Sequence, residues 1–189
     1  MTSSTFRHTP APPVFSFIGW HNSGKTTLAR QVLTHLKGKG YIVGVIKSTK
    51  ERGIVVDPPH ADTALYKAAG ADGVALLAPD QLIVQLQPTK VDLHALALQL
   101  FPGADLVLTE GFKHAVDVPK IEVRRDPASP LLRDQVPGVV AVATDLSLTG
   151  GRCFKLHQIR EIAEFIEEHC FGTTPPAAAR IDDPATTEN

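Results

Sequence analysis

Eight consecutive residues carry the clearest chemistry in this chain: Gly19-Trp20-His21-Asn22-Ser23-Gly24-Lys25-Thr26. They satisfy the pattern G-x-x-x-x-G-K-[ST] in full, with the apolar run "VFSFI" before them and the helix-forming run "TLARQVLTHL" after. Glycines let backbone amides curl around phosphate oxygens with no Cβ in the way, and the positive end of the following helix points at the same place. Lys25 is expected to reach the β- and γ-phosphates, and the Thr26 hydroxyl to ligate Mg²⁺. Gly19, His21, Asn22, Ser23, Gly24, Lys25, Thr26 and Thr27 are the expected nucleotide contacts. For Trp20 and His21, at the loop tip, a solvent-facing role reads equally well.

Such a loop needs a second acid for its metal, and "ADLVLTEGF" offers Asp105 and Glu110. They begin and end one strand, roughly 17 Å apart at ~3.3 Å per residue. Ligands of open α/β sheets sit at the carboxyl ends of strands, so Glu110 is the expected metal or water partner and, with Lys25, the expected catalytic group. Asp105 is expected to cap the far end. The loop 48–62 is long for a strand-to-helix connection and holds Asp57, His60 and Asp62. Asp62 is a candidate metal ligand beside Thr26 and Glu110, although Asp62-Thr63 reads equally as a helix cap.

Base recognition has a weaker signal. Thr144 and Asp145 follow the run "VVAVA", again at the ligand edge, and a carboxylate there accepts from the N1–H and N2–H₂ edge of guanine, which adenine lacks. The alternative is an ordinary polar turn. Arg124, Arg125 and Arg133 suit bidentate phosphate contacts or a plain basic surface, and both readings stay open. His35, His94, His157 and His169 read as structural or exposed.

These residues imply elements to position them. Strands are expected at 14–19, 41–47, 73–78, 81–86, 105–111, 120–124 and, as the last, 138–144; helices are expected to begin near Lys25, with Leu28, Val32 and Leu36 on one face, then at 63–69 and 91–100, and last about Ile159, Ile162, Ala163 and Ile166. Strands alternating with helices predict an α/β, three-layer fold of the P-loop NTPase type: a mainly parallel sheet, an antiparallel hairpin about Pro79-Asp80, and helices on both faces. The folded part is expected at 14–171. The segments 1–13 and 172–189, rich in Ser, Thr, Pro and Ala, are expected to be disordered.

Composition narrows the function further. A formal charge of -1 gives no electrostatic case for nucleic acid or an anionic membrane surface. No apolar run approaches the ~20 residues that span a bilayer, and the N-terminus lacks the apolar core of a signal peptide. Cys153 and Cys170, far apart in sequence, read as reduced thiols. Cytoplasm is the expected location.

Taken together, the motifs resemble the molybdopterin-guanine dinucleotide biosynthesis adapter family, MobB. "DPPHADT" (57–63) is similar to the family's D-x-P-G-K-D-[ST], and "KAAGA" (67–71) to R-x-A-G-A. "LTEGFKH" (108–114) is similar to L-x-E-G-F-K-H, and "VVAVATD" (139–145) to V-x-A-V-x-S/T-D. The chain departs from the family in the long loop. "STKER" follows Lys47 where histidine is usual, His60-Ala61 replaces Gly-Lys, and Lys67 replaces Arg. The resemblance implies a homodimeric GTP-binding protein with slow GTPase activity. It would assist the guanylyltransferase MobA in attaching GMP to the molybdenum cofactor, with molybdopterin itself a further candidate ligand. A small-molecule kinase with Arg124, Arg125 and Arg133 in a lid is the alternative. A metallochaperone GTPase is less favoured, because the chain has no CxxC and no His-rich tract.

Overall fold

A computed structural model describes residues 11–87 and 92–172. The expected terminal tails, apart from residues 11–13 and 172, lie outside the described residues, as does Val91 at the start of the third expected helix. The described residues divide into two compact units, 11–48 with 92–172, and 49–87.

In the larger unit the strands are β1 (Val14–Ile18), β2 (Val43–Lys47), β5 (Leu106–Glu110), β6 (Lys120–Val123), β7 (Val139–Ala143) and β8 (Cys153–Phe154). They form one sheet in the order β2-β5-β1-β6-β7-β8, every pairing parallel. All five residues of β1 are buried, as a central parallel strand covered on both faces requires. The chain leaves β1 to one side for β2 and β5 and to the other for β6, β7 and β8. The crevice at such a reversal, beside the carboxyl end of β1, is where open α/β sheets hold ligands.

Helices α1 (Lys25–Gly38) and α4 (Ile159–Phe171) cover one face. Leu28, Val32 and Leu36 of α1, with Ile162, Ala163 and Ile166 of α4, pack against Phe15, Phe17, Leu106 and Leu108. Full burial of a large apolar side chain contributes about 1.5–3 kcal/mol, so these stripes, rather than helix propensity, fix both helices to the sheet. Gly40, at φ 89°, lets the chain turn away after α1. On the other face α3 (Leu93–Leu100) places Leu93 and Ala97 against Val14, Ile46 and Val107. Asp92 caps α3 by accepting from the backbone amides of His94 and Ala95. Three layers result, as expected.

Two features depart from the sequence reading. The run at 138–144 is not the last strand, because β8 adds a two-residue edge beyond β7, too short for any periodicity to declare. The second lies on β6, where Ile121 and Val123 face the α1/α4 core while Lys120, Glu122 and Arg124 face the opposite way. That face is normally solvent for charged side chains, yet these are only 1%, 0% and 8% exposed. Segments on both sides of β6 meet them, Ala115 and Val118 before it and, after it, the stretch 127–137 with a short 3₁₀ turn at Leu132–Asp134. Each charge meets backbone. Lys120 Nζ donates to the carbonyls of Ala115, Val118 and Pro137 at 2.9, 2.9 and 3.0 Å. Glu122 accepts from the amides of Leu132 and Arg133 at 3.0 and 2.9 Å. Arg124 Nη2 donates to Pro127 O at 2.9 Å.

The smaller unit holds α2 (Asp62–Ala68) and the antiparallel hairpin β3 (Gly73–Leu77) with β4 (Leu82–Leu86). The hairpin turns where Ala78 N donates to Gln81 O, and Gly70, at φ 98°, stops the helix. The cap offered as the alternative reading of Asp62-Thr63 does not form: Ala61 holds the N-cap position without a side-chain bond, and Asp62 is the first helical residue. Asp57 accepts from Gln85 Nε2, and Gln85 Oε1 accepts from Lys67 Nζ, each at 2.6 Å.

Candidate phosphate-binding site

The loop between β1 and α1 needs both of its glycines. A Cβ on Gly19 would collide with the carbonyl oxygen of Val123 at the end of β6 and lie 2.6 Å from Ser23 Oγ. Gly24 holds the N-cap position of α1 at φ 91°, a conformation that glycine adopts without strain. Asn22 is left-handed as well, at φ 56°. Ser23 is buried with its Oγ unpartnered, and Lys25 Nζ donates to Trp20 O at 2.7 Å, bridging the two ends of the loop. His21, Asn22, Thr26 and Thr27 are exposed.

Glu110 is the last residue of β5, one strand over from β1 and in register with Lys47 at the end of β2. The Thr26 hydroxyl lies 2.9 and 2.8 Å from the two Glu110 carboxylate oxygens, and Lys47 Nζ lies 3.4 Å from Oε1. The structure thus brings Thr26 and Glu110 into direct contact. The turn beyond Glu110 is pinned to β1: Gly111 N donates to Phe17 O, and Ser16 Oγ donates to Gly111 O. Gly111 and Phe112 are both left-handed, at φ 98° and 53°, and for Phe112 that is a strained conformation adjoining the acid. Asp105 takes the opposite end of the strand, accepting from Ile42 N at 2.7 Å, as its position predicted.

Charge gathers at this edge. Burial lowers the Lys25 ammonium below the usual lysine value; Glu110 opposes that shift and Lys47 adds to it. A hydroxyl and a carboxylate in contact form the hard-oxygen donor pair that suits Mg²⁺, so Thr26 and Glu110 fit such an ion. Asp62 belongs to the smaller unit, exposed and without a hydrogen bond. Among the described residues no group of three or more His, Cys, Asp or Glu could hold a metal ion, and Asp57 is already engaged by Gln85.

On the other flank Thr144 is buried at the end of β7, its Oγ1 accepting from Leu146 N. Exposed Asp145 accepts from Leu156 N at 3.1 Å through Oδ1. The two strand spacings from β1 to β7 put Asp145 roughly 10 Å across the edge from the loop. The three arginines part company. Arg124 is buried on Pro127, and Arg133 donates to Gly150 O and Thr149 O. Arg125 lies against Gly24. An arginine lid made of all three, as a kinase would need, is not supported by side chains already committed to carbonyls. Trp20 is a clamp: Nε1 donates to Pro130 O at 2.8 Å while Lys113 Nζ sits 5.2 Å from the ring centroid. The sequence reading missed Lys47; the signal available was a charge ending a strand at the ligand edge.

A parallel sheet with a glycine loop curled between its central strand and the next helix, and an acid ending the adjacent strand, defines a protein of the P-loop NTPase fold. The family model described as "Molybdopterin guanine dinucleotide synthesis protein B", MobB, matches residues 14–145. The chain belongs to this family. It is 31% identical over 164 residues to the molybdopterin-guanine dinucleotide biosynthesis adapter protein of Escherichia coli, spanning 82% of this chain and 92% of that one. Identity to the adapter protein of Haemophilus influenzae is 34% over 158 residues, with 82% and 88% covered. A crystal structure of molybdopterin-guanine biosynthesis protein B superposes with a TM-score of 0.63 at 28% identity, covering 81% of this chain and 97% of the other. The fold is shared too with a MobB homologue from Bacillus stearothermophilus, TM-score 0.62 at 24% identity, with 83% and 97% covered.

Proposed function

We propose that this chain is a cytoplasmic GTP-binding adapter in molybdenum cofactor biosynthesis, with slow GTPase activity. It would support a guanylyltransferase partner of the MobA type rather than transfer the nucleotide itself. The observation that carries the reading is the contact of Thr26 with Glu110 beside a loop bridged by Lys25. Loop amides and Lys25 would hold the phosphates and stabilise their charge, and Asp145 would select guanine. Thr26 and Glu110 would hold Mg²⁺, which supplies charge neutralisation between the phosphates when bound. Slow turnover is in keeping with Glu110, whose two oxygens already face Thr26 and Lys47 and are not free to orient water. The adapter role draws support from the names of the E. coli and H. influenzae relatives. A homodimer draws support from the hairpin, which exposes Leu77, Leu82 and Leu86 at 80%, 61% and 61%. Molybdopterin is the proposed second ligand.

Competitive calorimetry of GTP and ATP with Mg²⁺, on wild type and on Asp145→Ala, tests the reading. A GTP preference that collapses in the variant is expected. Equal affinity for both nucleotides in the wild type would sink the guanine assignment.

A further inference from the structure

Resting on the nucleotide reading above, we infer that Arg125 is the grip on the non-transferred phosphates of a bound guanine nucleotide, a binding residue shared by the di- and triphosphate. The end of β6 touches the phosphate loop at both of its glycines. Val123 O packs on Gly19, and two residues later the Arg125 guanidinium lies on Gly24. A Cβ on Gly24 would stand 2.9 Å from Arg125 Nε and 3.4 Å from both Cζ and Nη2.

Arg125 is exposed, and among the described residues it has neither a hydrogen bond nor an ion pair, whereas Arg124 and Arg133 both donate to carbonyls. Its contact is with the amino end of α1, one residue from Lys25. A cation placed there with no carboxylate beside it works against the helix dipole and against its neighbour, unless an anion joins them. A buried Ser23 Oγ with no partner, set against Gly19 within the same loop, is a second group there that lacks a ligand. A planar guanidinium suits the paired oxygens of a phosphate chain.

The sheet order decides which phosphates. Glu110 on β5 and Arg125 beyond β6 lie on opposite sides of β1, and Asp145 beyond β7 lies on the Arg125 side. A nucleotide with its base toward Asp145 and its metal at Thr26 and Glu110 passes Arg125 at the α- and β-phosphates. The γ-phosphate falls on the other flank. Arg125 would therefore strengthen GDP and GTP binding equally and leave the chemical step alone.

The test is calorimetric binding of GDP and GTP with Mg²⁺, together with single-turnover GTP hydrolysis, on wild type, Arg125→Ala, Arg125→Lys and Lys25→Ala. Arg125→Ala is expected to keep the wild-type melting temperature, having no bond to lose. It should weaken both nucleotides by the same factor, about 10- to 100-fold, the range of a charged hydrogen-bond contact. Its hydrolysis rate at saturation should stay within a few-fold of wild type, and Arg125→Lys should recover part of the affinity. Unchanged affinity in Arg125→Ala beside a strong loss in Lys25→Ala would overturn this role alone. So would an intact GDP affinity with a collapsed hydrolysis rate, which marks a transition-state arginine. A wild type that binds neither nucleotide would overturn the nucleotide reading itself.

Discussion

Glu122 offers the sharpest test of how the flank of the site is built. It is wholly buried, and its carboxylate accepts two consecutive amides, Leu132 N and Arg133 N, at the start of the 3₁₀ turn. Glu122→Gln keeps the shape and removes the charge. One amide keeps an oxygen acceptor but loses charge assistance, a change of about 1 kcal/mol. The other meets a donor NH₂ in place of an oxygen, leaving opposed buried donors at a cost of about 1–3 kcal/mol. Relief from burying a charge offsets part of this, so the net destabilisation should be about 2–3 kcal/mol. At this chain length that corresponds to a melting temperature lower by roughly 4–12 °C. Urea unfolding gives the free energy. The single tryptophan gives a local readout, because Trp20 Nε1 is bonded to Pro130 O within the same covering stretch. Its emission should shift to the red in the variant under native conditions. A variant within about 0.5 kcal/mol of wild type, with unchanged Trp20 emission, would refute the claim that Glu122 anchors this stretch.

Two further outcomes follow from the titrating groups. Burial lowers Lys25, so GTP affinity should decline with rising pH through a midpoint below the ordinary lysine value of 10.5, and Lys25→Arg should remove that decline. The unfolded chain holds this proton more tightly, so its cost to folding is full below the lowered value and lifts as pH rises toward 10.5. The same alkaline decline in both proteins would contradict the assignment. The Cys170 thiol is pushed up to about 12 by burial, whereas Cys153 is exposed. Iodoacetamide near neutral pH should therefore modify Cys153 well before Cys170 in the native protein, as peptide mass mapping would read; equal rates would contradict the packing around α4.

Much of the site was legible because its logic is local. The loop pattern fixes a backbone curl from glycine sterics, and the strand between Asp105 and Glu110 has a direction, so the carboxylate at its carboxyl end had to face the ligand edge. That ground alone put Asp105 at the end beside Ile42 and Glu110 at the end beside Thr26. The two-residue edge strand β8 and the failed cap at Asp62 escaped for want of length or because a neighbouring residue took the position. Lys47 and Arg125 escaped for another reason. Each is a single charge at a strand end, and nothing within reach along the chain marks what lies beside it across the sheet.

What the amino-acid sequence determined by itself was the alternation of elements, the apolar stripes of α1 and α4, and the phosphate loop, since each depends on periodicity or on φ within a few residues. Only the tertiary structure decided that Lys120, Glu122 and Arg124 are interior. In the run "KIEVR" they alternate as a solvent-facing side would, yet they are buried, with Lys120 and Glu122 bonded to backbone carbonyls and amides and Arg124 held through Nη2 alone, its Nε and Nη1 without a partner. It alone decided, too, that β6 lies against β1. That pairing, fixed by non-local strand order, brings Arg125 to Gly24 across about a hundred residues of chain.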